Sequence, residues 1–113
     1  MSYSDTPPPP YYAVIFGFRL RTTDTAEYLE TADRLMEIAR GLEGFYGEEA
    51  ARVAGGFCLT VSYWRDEEAI RVWRENLEHT AARQRGKREW YENFRVRVAR
   101  VERDYGFQFP ASS

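Results

Sequence analysis

Residues 11–20 read Tyr-Tyr-Ala-Val-Ile-Phe-Gly-Phe-Arg-Leu. The run is dense in aromatic and β-branched residues, the composition of a strand. Tyr12, Val14, Phe16 and Phe18 fall on one side, and Tyr11, Ala13 and Ile15 on the other, so both faces are apolar. A strand apolar on both faces has to be covered on both. The fold must therefore supply a layer on each side of this run.

One layer is visible downstream. Ala26, Leu29, Ala32, Leu35, Met36, Ala39 and Leu42 recur at helical spacing. Thr22-Thr23-Asp24, with Glu27 three residues past Asp24, forms a capping box, and Gly41 and Gly44 supply a stop. The pattern predicts a helix over 24–40. A weaker strand follows over 45–53. After the turn signal Gly55-Gly56, Phe57 to Trp64 is a clear strand, with Phe57, Leu59, Val61 and Tyr63 on one side and Cys58, Thr60, Ser62 and Trp64 on the other. Asp66 caps a second helix, and Glu67 and Glu68 sit in its first turn, where the helix dipole favours acids. Ala69, Ile70, Trp73, Leu77 and Ala81 make its apolar stripe. The basic run Arg83, Arg85, Lys87 and Arg88, with Gly86, suits its C-terminal end. The last strand spans 91–105: Phe94, Val96 and Val98 alternate with Arg95 and Arg97, and the slip at Ala99 to Val101 predicts a bulge.

The order is β-α-β-β-α-β, an α+β ferredoxin-like arrangement of a four-stranded antiparallel sheet with two helices on one face. No helix remains for the other face. The economical cover is a second copy of the sheet, which predicts a homodimer through that face.

A chain of 113 residues fits one domain. It divides into a flexible Pro-rich tail over 1–10, an ordered domain over 11–107 and a short C-terminal tail over 108–113. Pro7 to Pro10 favour polyproline II, a stiff lead-in. The net charge is −2 and acids and bases interleave, so the clustered basic footprint of a nucleic-acid binder is absent. No apolar run reaches the length of a membrane span, and the N-terminus has no basic-then-apolar leader. Cys58, the single cysteine, excludes an internal disulfide and lies in an apolar run. The expectation is a cytoplasmic protein with no nucleic-acid or membrane partner.

Three stretches carry a resemblance: Gly44-Phe45-Tyr46-Gly47-Glu48-Glu49, then Gly56-Phe57-Cys58-Leu59-Thr60-Val61-Ser62-Tyr63-Trp64, then Trp73 and His79 ahead of Ala82 and Gly86. As a set they resemble the antibiotic biosynthesis monooxygenase domain superfamily, a similarity that covers about residues 11–107. The resemblance implies a dimeric α/β barrel with a pocket in each subunit between helices and sheet. Members of that superfamily include cofactor-independent oxygenases of quinol or anthrone-like substrates and heme-degrading enzymes. The heme-degrading pattern wants a histidine ten residues after the tryptophan of the second helix, where this chain has Arg83. It also wants an asparagine in the first strand eight residues before the Thr25-Ala26 pair, where this chain has Gly17. Heme is therefore disfavoured as a cofactor.

The residues themselves offer no metal-ligand cluster, no phosphate-cradling loop and no Ser/His/Asp set. His79, the only histidine, has an ordinary pKa near ~6.5 and suits proton transfer at neutral pH. Deprotonating a quinol or anthrone gives a carbanion that reacts with O₂ directly, so a base and an apolar aromatic pocket suffice. On this reading His79 is the base and Arg83 stabilises the developing oxyanion. Trp64, Trp73 and Tyr63 hold a small aromatic ligand, and Gly17 leaves room for a flat ring or marks a bulge. On a continuous helix, however, His79 falls more than ~90° from the apolar stripe. Either the helix breaks near Asn76 to Glu78, or His79 faces a dimer partner or solvent. A non-catalytic small-molecule-binding or stress-response dimer of the same fold is the alternative, and heme degradation a second one.

Overall fold

The computed structural model describes residues 3–21, 26–53, 56–84 and 90–110; the side chains of residues 27 and 78–84 lie outside that description. The elements run β1 (Tyr11–Leu20), α1 (Ala26–Arg40), β2 (Phe45–Arg52), β3 (Phe57–Trp64), α2 (Glu67–Gln84) and β4 (Tyr91–Val101). The strands form one antiparallel sheet in the order β2-β3-β1-β4, with β1 paired to β3 on one side and to β4 on the other. This is the ferredoxin-like α+β fold read from the element order.

The register divides the sheet as the alternation predicts. Val14, Phe16 and Phe18 share the helix-covered face with Ser62, Thr60 and Cys58 of β3, and with Val98, Val96 and Phe94 of β4. Tyr11, Ala13, Ile15 and Gly17 share the opposite face with Tyr63, Val61 and Leu59 and with Ala99, Arg97 and Arg95. The helices rest on the β3 side of the sheet. There Ala39 of α1 and Ala69 and Trp73 of α2 enclose Trp64, and Leu35, Met36, Ile70 and Leu77 pack around them.

Two sequence signals act as expected. The Ala69 N–H donates to Asp66 Oδ1 at 2.8 Å, the N-cap predicted for α2. That bond, ahead of the Arg65 guanidinium, holds the Asp66 carboxyl below its ordinary pKa. At the turn into β2, Gly44 takes φ +88°, and a Cβ there would meet the Ala69 Cβ at 2.8 Å, so the turn closes tightly on the first turn of α2. The capping box at residues 22–24 and 27, Gly55 and the basic run at 85–88 lie outside the described residues.

Four readings change. The bulge expected at Ala99 to Val101 is absent: β4 pairs regularly with β1 from Asn93 to Val101, and the irregularity lies at the other end, between Arg19 and Leu20. The apolar pattern slips because the buried side switches. Val98 lies on the helix face, whereas Ala99 and Val101 lie opposite Ala13 and Tyr11, which are buried on the other face. The strand ends at Val101, not Tyr105, and residues 102–110 continue as an exposed arm without regular structure. Leu29 is 43% exposed and points away from the sheet; its neighbour Tyr28 takes the inward position instead. Finally, α2 runs unbroken through Asn76 to Glu78.

The segment ahead of β1 is attached at one corner. Ser4 N–H donates to Glu49 Oε2 at 2.9 Å, and Ser4 Oγ donates to the Glu48 carbonyl at 3.0 Å. Tyr11 Oη donates to Asp104 Oδ2 at 2.5 Å, and Thr6 Oγ1 reaches the same oxygen at 3.1 Å. Tyr63 Oη donates to Glu49 Oε1 at 2.7 Å beside them. No helix among the described residues is long and apolar enough to cross a membrane.

Candidate functional site

Two aromatic clusters lie on the helix side of the sheet. The first is the tryptophan cluster. Trp64 and Trp73 stack with centroids 5.8 Å apart, and Phe45 meets Trp64 edge-on at 5.2 Å. Trp64 is 0% and Trp73 7% exposed, and the Trp64 indole N–H donates to Ser62 Oγ at 2.8 Å. With the Trp64 N–H satisfied and both indoles buried, this cluster is core.

The second cluster sits at the other end of β1, where β4 begins. Phe16 and Phe18 stack at 4.8 Å, an i,i+2 pair on one face of the strand. Tyr91 stands edge-on to Phe16, Phe18 and Tyr28 at 5.7, 5.4 and 5.8 Å. Phe94 closes on Phe16 and Tyr91, each at 5.6 Å, and Trp90 meets Tyr28 at 5.8 Å. The Tyr28 and Tyr91 phenols are neighbours in this cluster, one from α1 and one from β4. Burial is the first cause that pushes both phenols above their ordinary pKa, and at Tyr28 the neighbouring Tyr91 adds to it. Both hydroxyls are therefore neutral donors across the physiological range.

This cluster is not sealed. Phe16, Tyr28, Trp90 and Tyr91 are only partly buried, and Phe94 is 44% exposed. Val96 and Val98 extend the same apolar row along β4 at 49% each. The arrangement offers several ring edges and faces to a flat apolar molecule, and neutral phenolic hydroxyls to an oxygen on it.

The sequence-predicted residues do not come together at one place. Trp64 and Trp73 belong to the core. Tyr63 lies on the opposite face of the sheet, in its bond to Glu49. Gly17 is also on that face, at the floor of a groove of about 380 Å³ bordered by Ile15, Phe57, Leu59, Asn93, Arg95 and Arg97. The strand stays paired at Gly17 on both sides, so it marks no bulge. A Cβ there would meet Phe57 Cζ at 3.3 Å, so the Phe57 ring leans over the gap. His79 and Arg83 stand on α2, and their side chains lie outside the described residues. No group of His, Cys, Asp and Glu that could hold a metal ion is present among the described residues.

Sequence reasoning missed Tyr28, Tyr91 and Phe94 as site residues. One signal was available: Tyr28 extends the row Ala32, Leu35, Ala39 by one helical turn, at i, i+4, i+7 and i+11.

The family model for antibiotic biosynthesis monooxygenase matches residues 11–85. The chain belongs to that family. Among curated relatives, it is 49% identical over 105 residues to the uncharacterised protein YqjZ of Bacillus subtilis, covering 93% of this chain and 91% of that one. It is 29% identical over 92 residues to the jasmonate monooxygenase ABM of Pyricularia oryzae, covering 80% of this chain but 43% of that protein. Among solved structures, SnoaB, a cofactor-independent oxygenase from Streptomyces nogalater, superposes with a TM-score of 0.63 at 14% identity, over 92% of this chain and 100% of its own. At that identity the likeness is one of fold. Within this monooxygenase family, the matched region takes in β1 with Phe16 and Phe18, Tyr28 of α1 and all of α2.

Proposed function

We propose that this protein is a cofactor-independent monooxygenase of a small aromatic, quinol-type substrate, acting as a homodimer through the helix-free face of its sheet. The observation that carries the reading is the half-open ring cluster around the Tyr28–Tyr91 hydroxyl pair, between the helices and the sheet. A flat substrate stacked among Phe16, Phe18 and Phe94 is shielded from bulk water along its ring faces. Its oxygen accepts a hydrogen bond from the tyrosine pair, which holds charge as an enolate develops.

In this scheme His79 removes the substrate proton and Arg83 steadies the oxyanion. The carbanion passes electrons to O₂, and a carbon–oxygen bond forms. The O–O bond then breaks with one oxygen retained as a carbonyl and the other leaving as water. The substrate supplies both electrons to the oxygen that becomes water, so the balance needs no external reductant. The second copy covers Ile15, Gly17, Leu59 and Val61, the apolar residues that the helices leave bare. The lone cysteine, buried and free, suits the reducing cytoplasm.

The test is oxygen uptake with a panel of anthrones and quinols, alongside His79→Ala and Tyr28→Phe. Turnover is expected on at least one member. His79→Ala should lower kcat by about 10² or more if it is the base. Tyr28→Phe should lower kcat/KM by roughly tenfold if its hydroxyl meets the substrate oxygen. No uptake across the panel, or indifference to both substitutions, removes this reading in favour of a binding dimer. A Soret shift on titration with stoichiometric heme points instead to the heme-degrading branch.

A further inference from the structure

The open ring cluster stands on a cross-strand row of the sheet, and that row ends in a charge. Arg52 of β2 lies opposite Cys58 of β3, Cys58 opposite Phe18 of β1, and Phe18 opposite Phe94 of β4. Directly opposed residues point to the same side of a sheet, so all four belong to the helix face. The neighbouring row reads Ala50, Thr60, Phe16 and Val96. Across β1 and β4 both rows are bulky and apolar. Across β3 and β2 they are small, with Cys58, Thr60 and Ala50, until they reach the Arg52 guanidinium. A shelf of short side chains thus runs from the rings to a cation.

Arg52 differs from other arginines of the chain. Arg40 binds Glu48, Arg65 binds Glu43 and Asp66, and Arg71 binds Glu68 and Glu75. Arg52 is exposed and pairs with no carboxylate among the described residues. Its charge is nonetheless felt in the cluster. Burial is the largest influence on the Tyr28 phenol and raises its pKa, and the Arg52 guanidinium acts in the opposite sense. The guanidinium is therefore within electrostatic reach of a ring that walls the site.

A guanidinium stays charged at every pH the protein meets, and its planar fork of N–H donors matches a carboxylate. The rings suit a flat apolar body, and the neutral phenols suit an oxygen on it. What the far end of the shelf asks for is negative charge. β1 and β2 are two strand spacings apart, about 10 Å, so that charge stands beyond the ring body and not on the reacting ring.

We propose that the substrate of this site is a fused-ring aromatic acid, with its rings on Phe16, Phe18 and Phe94 and its carboxylate held by Arg52 across Cys58 and Thr60. The inference rests on the monooxygenase reading above and narrows its substrate to compounds with an acid remote from the reacting ring. Arg52 is then a specificity residue. It binds one end of the substrate and takes no part in the proton or oxygen steps.

The experiment reads binding apart from turnover. Anthraquinone carboxylate and anthraquinone carboxamide have matching rings and differ in charge, and neither has the proton that the oxygenase reaction removes. Calorimetric titration of the full chain gives a Kd for each. The acid is expected to bind about tenfold or more tighter than the amide. Arg52→Gln should bring the two affinities together, and Arg52→Lys should restore part of the difference. Phe94→Ala should weaken both ligands. Equal affinities in the unaltered protein overturn the proposal. So does an acid preference that survives Arg52→Gln, that is lost in Arg95→Gln on the opposite face, or that belongs to a ligand indifferent to Phe94→Ala. Oxygen uptake with the corresponding anthrone acid and anthrone amide is measured alongside. The acid should show the lower KM, and Arg52→Gln should raise that KM about tenfold with little change in kcat. Equal KM values for acid and amide leave the monooxygenase reading standing and remove the acid. An Arg52-dependent preference in binding, with no uptake from either anthrone, removes the oxygenase reading and leaves the aromatic-acid site. Failure of both anthraquinones to bind, with no uptake, removes both.

Discussion

The two aromatic clusters on the helix side are built from the same residue types and end in opposite states. Around Trp64, small residues from both helices, Ala39 and Ala69, bring the helices down onto the rings until nothing is left open. Around Tyr91, the cover is other rings, Tyr28 of α1 among them, and the strand beneath them is the edge strand β4. Aromatic density therefore does not identify a binding site. What sets the second cluster apart is that its neighbours leave it partly open.

Substitutions at the two ends test this contrast. The largest effect is expected from Trp64→Ala, which empties the sealed end and should cost about 3–5 kcal/mol in urea unfolding. A loss below about 1 kcal/mol would mean that end is as loose as the other. Ser62→Ala comes next. It strands the buried indole N–H of Trp64 and should cost about 1–3 kcal/mol, with unchanged oxygen uptake. At the open end, Phe94→Ala should cost about 1 kcal/mol or less in the monomer, because the ring is already half solvated. It should nevertheless weaken binding of any aromatic ligand. Equal stability losses at Trp64 and Phe94 would erase the distinction.

The smallest effect is a pH dependence at the far corner of the sheet. Burial first, then the bonds to Asp104 and Glu49, hold the Tyr11 and Tyr63 phenols above their ordinary pKa. A raised folded-state pKa stabilises the fold fully below the unfolded value of about 10 and loses that contribution as pH climbs beyond it. Stability should therefore be flat in this respect through neutral pH and fall above about pH 10, with a weaker fall in Tyr63→Phe. Thermal unfolding across an alkaline series measures it.

The fold was legible because its signals are local and redundant. The two-sided apolar pattern of residues 11–20 demanded two layers, Asp66 announced its helix, and the glycines marked the turns. The site was legible only in part. Trp64 and Trp73 were drawn to the site by their size, yet size favours burial wherever two helices can close over a ring. Tyr63 and Trp64 are adjacent in sequence and so on opposite faces, and no pattern within one strand says which face carries the ligand. Tyr28 and Tyr91 meet across the interval between the first helix and the last strand, and only the β1–β4 register brings them together. The slip at Ala99 to Val101 has the look of a bulge within one strand. It is a property of the pairing, since the covered face changes where β4 reaches Tyr11.

That pairing has a consequence for how the chain is made. Tyr11 is paired with Val101 and Leu20 with Tyr91, so β1, one of the two inner strands, is made before the other strands of this sheet, and its neighbour β4 is made after them. On the ribosome β1 can join β3 once the hairpin has emerged, but its other edge stays bare until β4 follows. The nascent sheet thus waits with its most apolar strand exposed along one side. A pairing of such long range predicts slow, late completion of folding, and a stage at which premature chains stick to one another.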